Sequence, residues 1–221
     1  MRTLFLGLAI LLGLAQPSDA KRIALVIGNS AYAHVGLLTN PANDARDVGA
    51  ALKTLGFDVK VVLDADLAAM QSAVRTLARD AEGADVVVAY YAGHGIEISG
   101  QNYLIPVDAK LAEALDAPKE TLALDTVMRE VSPHGKFRLI VLDACRDSPF
   151  AGSLRQHDAG IRRGLAEPAT SPGNMLVAYA AKAGTVAQEG APGGNSPFTS
   201  AFLKALQTPK LDVRLLLRNV T

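Results

Sequence analysis

The chain has one cysteine and no tryptophan in 221 residues, and only 5% of it is aromatic. A single thiol excludes an internal disulfide framework and any zinc site built on paired cysteines. So few rings argue against a stacking platform for single strands or sugars. An excess of one charge is missing too. Lys plus Arg and Asp plus Glu both total 22, so no net basic field gathers nucleic acid and no acidic surplus marks a solvating tail. The apolar run from Leu4 to Ala15 is too short for a bilayer span of about 20 helical residues. With Arg2 before it and the small residues Ser18 and Ala20 after it, the run reads as an export signal over residues 1–20, cut after Ala20. The expected location of the mature chain is therefore periplasmic or secreted, with no stable membrane span once the signal is removed. An uncleaved anchor or a buried N-terminal helix is the competing reading of the same run.

What is present is a globular composition, 49% hydrophobic and 20% charged. From Lys21 onward short β-rich runs alternate with helix-patterned stretches, which predicts an α/β fold: a mostly parallel central sheet covered by helices. Strands are expected at Arg22 to Ile27, Asp58 to Leu63, Asp85 to Tyr91, Phe137 to Leu142 and Met175 to Tyr179, as the continuous apolar runs of strands buried on both faces. Crossover helices are expected over Ala42 to Leu55 and Ala65 to Ala81, and a hairpin at Ile96 to Pro106 turning on Ser99-Gly100. Ser196-Pro197 opens a further helix, with Ser196 as the cap. The stretch Ser148 to Gly173 has no hydrophobic period and reads as a long exposed loop, either a processing segment or a plain linker. The apolar pattern after Leu211 has no stop signal, so residues 211–221 read as the start of a C-terminal extension.

Cys145 follows the apolar run Ile140-Val141-Leu142, at the carboxyl edge of a strand where open α/β sheets place their ligand sites. A buried cysteine is commonly a small hydrophobe. This one, flanked by Arg146 and bound for an oxidising compartment, is expected to be paired with another chain or free and reactive. His94 stands in the segment Gly93-His94-Gly95 past another apolar strand, 51 residues before the cysteine. Its flanking glycines are expected to let the backbone turn sharply and leave N–H groups open to a ligand. His34, His134 and His157 lie in predicted loops without such framing.

The segments Tyr90 to Gly95 (YYAGHG), Asn102 to Pro106 (NYLIP) and Leu142 to Asp147 (LDACRD) resemble the caspase-like cysteine peptidases, and the chain is most similar to the bacterial metacaspase-like group of that clan. The similarity runs from about Lys21 to Leu206. It implies a three-layer sandwich with about six strands, a catalytic domain over 21–210, a large-subunit-like part 21–150, a loop 151–173 and a small-subunit-like part 174–210. It also implies a Cys145/His94 dyad working through an acyl-enzyme, with oxyanion donors at the Gly95 and Cys145 N–H groups.

Where animal caspases carry Gln before Ala-Cys, this chain has Asp143. The resemblance to metacaspases therefore implies an acidic S1 pocket of Asp44, Asp143 and Glu189 that receives Arg or Lys at P1, so the expected partners are protein or peptide substrates with a basic P1. A guanidinium makes short bidentate bonds to carboxylates, which would repel an aspartate. The plain alternatives are a first-turn helix position for Asp44, a structural acceptor for Asp143 and ordinary surface for Glu189. No cofactor or metal is expected, although some metacaspases are activated by calcium. Arg155, Arg162 and Arg163 are candidate self-cleavage points. A catalytically silent binding or sensor module on the same fold is the alternative function.

Overall fold

The computed structural model describes residues 20–145, 150, 161, 162, 165, 173–180, 190, 191 and 193–208. Five parallel strands form the centre of one sheet: β1 (Arg22–Gly28), β2 (Asp58–Leu63), β3 (Val86–Ile98), β6 (Phe137–Cys145) and β8 (Met175–Tyr179), in the spatial order β2-β1-β3-β6-β8. Three short antiparallel strands extend it, namely β4 (Gln101–Leu104), β5 (Leu122–Ala123) and β7 (Ile161–Arg162). Among the described residues the sheet thus has eight strands where about six were expected, because the added pairings involve segments as short as two residues that carry no periodic signal of their own.

Alternation along each strand sorts the core. Ile23, Leu25 and Ile27 of β1, with Val87, Ala89 and Tyr91 of β3 and Ile140, Leu142 and Ala144 of β6, pack against α2 (Leu67–Asp80) and α4 (Leu124–Val131). The intervening Val26, Val88, Tyr90, Leu139 and Val141 pack on the other face, with Val48 and Leu52 of α1 (Pro41–Thr54) and Phe198 and Phe202 of α5 (Pro197–Leu206). Helices on both faces of a parallel sheet make the expected three layers. A single-turn α3 (Ala117–Glu120) precedes β5.

The local signals act as anticipated at several points. Ser99 and Gly100 turn the β3/β4 hairpin at φ +52° and +84°, as a two-residue turn of primed type requires. Ser196 caps α5 by accepting from Thr199 N–H at 2.8 Å, with Pro197 at the first helical position. At the end of β1, a Cβ on Gly28 would lie 2.3 Å from Pro41 O and 2.6 Å from Ala45 Cβ, so only glycine lets α1 close on the strand. Gly28→Ala is expected to destabilise the fold by at least about 1–3 kcal/mol, read as a lower calorimetric melting temperature. An unchanged melting temperature would show that the contact gives way.

Two expectations are corrected. His94 and Cys145 lie within strands rather than past their ends, because β3/β6 pairing continues as far as His94↔Cys145 and β3 then runs on into the hairpin. Of the stretch read as an exposed loop, Phe150 and Leu165 are buried and Ile161–Arg162 pairs with Ile98 and Glu97. Arg155, Arg163 and Glu189 lie outside the described residues, as do the expected leader up to Asp19 and the C-terminal stretch from residue 209. Among the described residues no helix is long and apolar enough to cross a membrane.

Candidate active site

Strand register brings the nucleophile candidate and the base candidate together. The parallel pairing of Val86 with Phe137 runs without slippage to His94 with Cys145, so the two backbones are neighbours at the sheet spacing of about 5 Å. Of the expected oxyanion donors, Cys145 stands at the last step of this ladder and Gly95 one residue beyond it, where β3 pairs with Leu104 of β4. The His94 imidazole is 3% exposed, 4.6 Å from the Tyr32 ring and 6.3 Å edge-on from Phe150. Among the described residues neither ring nitrogen has a hydrogen-bond partner. Burial pushes its pKa from 6.5 down to about 4, so at neutral pH the imidazole is uncharged and has a lone pair with which to take a proton.

The glycines beside it do different work from the sharp turn expected. The strand continues through both, with Gly93 at φ +153°, and each glycine admits a close neighbour. A Cβ on Gly93 would meet the Tyr32 and Tyr91 hydroxyls at 2.6 and 2.7 Å, and one on Gly95 would meet Ala144 Cβ and Leu165 Cδ2, each at 3.2 Å.

A second cluster lies two residues back along β6. Alternation puts Asp143 on the face of Leu139 and Val141, toward α1 and α5, about 7 Å along the strand from Cys145. There Asp143 Oδ2 accepts from Ser196 Oγ at 2.5 Å and from Thr199 Oγ1 at 2.7 Å, while Thr199 Oγ1 also shares a hydrogen bond with Tyr90 Oη at 2.5 Å. Asp44, in the first turn of α1, accepts from Ser196 N–H at 2.9 Å. One residue at the head of α5 therefore ties both carboxylates together.

Asp44 and Asp143 are 2% and 6% exposed, and among the described residues no Lys or Arg pairs with either. Burial pushes Asp44 from 3.8 up to about 7, against the Ser196 N–H that favours its charge, and the charges of Asp143 and Asp47 push the same way as burial. Asp143 is raised by burial and held back by its hydroxyl donors. Two buried carboxylates with hydroxyl and amide donors but no cation make a site that is short of positive charge. Sequence reasoning selected both acids. It missed Tyr90 and Thr199, and took Ser196 only as a helix cap, because a capping serine carries no mark of the carboxylates it will meet.

The sequence of residues 21–221 matches the caspase domain. The chain belongs to the caspase-domain family. It is 25% identical over 205 residues to a paracaspase of Dictyostelium discoideum, an alignment covering 88% of this chain and 46% of that protein. It is 34% identical over 94 residues to the human mucosa-associated lymphoid tissue lymphoma translocation protein 1, covering 42% of this chain and 11% of the human one. This caspase-domain chain therefore spans less than half the length of the curated relatives it matches. A crystal structure of a Geobacter sulfurreducens protein superposes with a TM-score of 0.66 at 18% identity, over 90% of this chain and 88% of that one, which is a likeness of fold. Family and architecture together make this a caspase-like member of a protease family.

Proposed function

We propose that the chain is a cysteine endopeptidase that cuts peptide bonds after Arg or Lys, and that it is exported on its N-terminal leader. The observation that carries the basic preference is the pair of buried carboxylates, Asp44 and Asp143, lacking a cation among the described residues, with Asp143 two residues before Cys145 on the strand that pairs with His94. A P1 guanidinium or ammonium supplies the missing charge. An aspartate there would add negative charge where burial already opposes ionisation of both carboxylates. Glu189 is a third candidate carboxylate for the same pocket.

In this reading the neutral His94 imidazole takes the Cys145 proton as the sulfur attacks the scissile carbonyl carbon. The carbonyl electron pair moves to oxygen, where the Gly95 and Cys145 N–H groups would receive it. The tetrahedral species collapses, the imidazolium gives its proton to the leaving amine, and the acyl group stays on sulfur. Water, deprotonated by His94, then attacks the thioester and returns the thiol. No step needs a metal. Among the described residues no three acidic, His or Cys side chains converge to hold one.

A panel of peptides with Arg, Lys or Asp at P1, given to the wild type and to Cys145→Ala, tests the reading. Arg and Lys peptides are expected to be cleaved at least about a hundredfold faster than Asp peptides, in line with the 2–5 kcal/mol carried by a buried charge pair. Preference for Asp would refute the pocket, and undiminished cleavage by Cys145→Ala would refute the nucleophile. A folded wild type inert to every peptide would favour the binding-module alternative.

A further inference from the structure

On one side of β3 two ladders meet with a gap between them. The β1 ladder leaves at Gly28↔Ala92, with Asn29 N–H donating to Ala92 O at 2.9 Å. The β4 ladder takes up at Gly95↔Leu104, with Ile105 N–H donating to His94 O at 3.1 Å. The His94 N–H falls in the interval, and a buried N–H requires a partner. It donates to Tyr32 Oη at 2.7 Å. Tyr91 Oη donates to His94 O at 2.7 Å and reaches Ile105 O at 3.0 Å, and the two tyrosine hydroxyls are 3.3 Å apart. Both tyrosines are buried, and the Tyr32 ring also lies against the imidazole.

Core packing alone does not call for two phenols here. Phenylalanine would fill nearly the same volume without a hydroxyl to satisfy. The hydroxyls instead close on the two polar backbone groups of a single residue. Gly93 makes room for them, since a Cβ at that position would overlap both oxygens.

We propose that Tyr32 and Tyr91 are positioning residues for His94, their hydroxyls gripping its peptide so that the imidazole is presented to Cys145 across the β3/β6 pairing. The inference rests on the Cys/His reading above and adds to it the device that aims the base. With the peptide held, only the side-chain torsions of His94 remain to place its nitrogens. Freeing the N–H, or leaving the carbonyl to Ile105 N–H alone, lets strand β3 drift where it passes from one ladder to the next, and misplacement by about 1 Å can cost on the order of a hundredfold in rate.

The test uses the full chain with Tyr32→Phe and Tyr91→Phe, each of which keeps its ring, so that if one fails to fold the other decides. Two quantities are read: kcat and KM on an Arg-P1 peptide, and the rate at pH 7 at which iodoacetamide alkylates the chain's one thiol, with His94→Ala as the unassisted reference. Each Phe variant is expected to lose about tenfold to a hundredfold in kcat with KM within about twofold of wild type, and its alkylation rate should fall toward that of His94→Ala. Tyr103→Phe is the control, since its hydroxyl bonds Gln101 Oε1 at 3.0 Å on the same hairpin and should leave both quantities unchanged. A wild type alkylated no faster than His94→Ala would sink the Cys/His reading and the grip with it. A faster wild type matched by both Phe variants in kcat and alkylation would overturn the grip alone, as would a loss confined to KM.

Discussion

Replacing His94 by Ala is expected to lower kcat/KM on an Arg-P1 peptide by about four orders of magnitude, the upper range for removing a general acid–base group. The physical reason is the state of the ring. Buried at 3% exposure with a pKa near 4, the imidazole is neutral where the enzyme would work and can accept the thiol proton. Without it, attack has to wait for thiolate formed by ionisation to solvent. The residual rate of His94→Ala should therefore climb with pH as more thiolate forms, whereas the wild type should not show that climb. Measured rates within about tenfold of wild type at pH 7 would remove His94 from the chemistry. Burial also gives the ring a stability signature. Between about 4 and 6.5 the unfolded chain binds a proton that the folded chain excludes, so stability falls as pH drops through that window, by up to about 3 kcal/mol in total. In His94→Ala that contribution should vanish from acid-dependent denaturant melts.

Asp44→Asn is expected to cost about a hundredfold or more in kcat/KM for Arg-P1 peptides at pH 8, as loss of one member of a buried charge pair commonly does, while hydrolysis of the acyl-enzyme proceeds unchanged. With a folded pKa of about 7, Asp44 is largely protonated below neutrality and carries its charge above it. Wild-type kcat/KM on Arg peptides should rise with pH through about 7 and then flatten, and Asp44→Asn should lack that limb. His94, near 4, titrates well below this range, so the two contributions separate. Stability runs the opposite way. Between about 4 and 7 the folded chain holds a proton that the unfolded chain has lost, so folding weakens as pH rises across the window, by an amount on the order of 4 kcal/mol. Asp44→Asn should therefore be more stable than wild type at pH 8 and less active. A variant both less stable and fully active would identify Asp44 as a structural acceptor for Ser196 and nothing more. The trade-off expected is that of a site kept unfavourable so that its ligand completes it.

Several elements were open to reading from residue pattern alone. Continuous apolar runs marked all five parallel strands, and alternation within them already implied that Asp143 shares a face with Leu139 and Val141. The Ser99-Gly100 turn and the Ser196-Pro197 start are local chemistry, so they survive whatever surrounds them. Helix α4 escaped notice even though its buried Leu124, Val127, Met128 and Val131 fall at helical spacing, because eight residues give a short periodic signal.

The identities of the candidate base and nucleophile, His94 and Cys145, and the absence of any other thiol were settled by the sequence itself, since chemistry belongs to side chains and order along the chain is enough to name them. Their meeting was not. The register that sets His94 beside Cys145, the joining of Asp44 to Asp143 through Ser196, and the closing of Tyr32 on the His94 N–H across 62 residues all depend on which strand lies next to which. Pairing of that kind is decided when the whole sheet buries its two faces at once, and no local stretch carries the information.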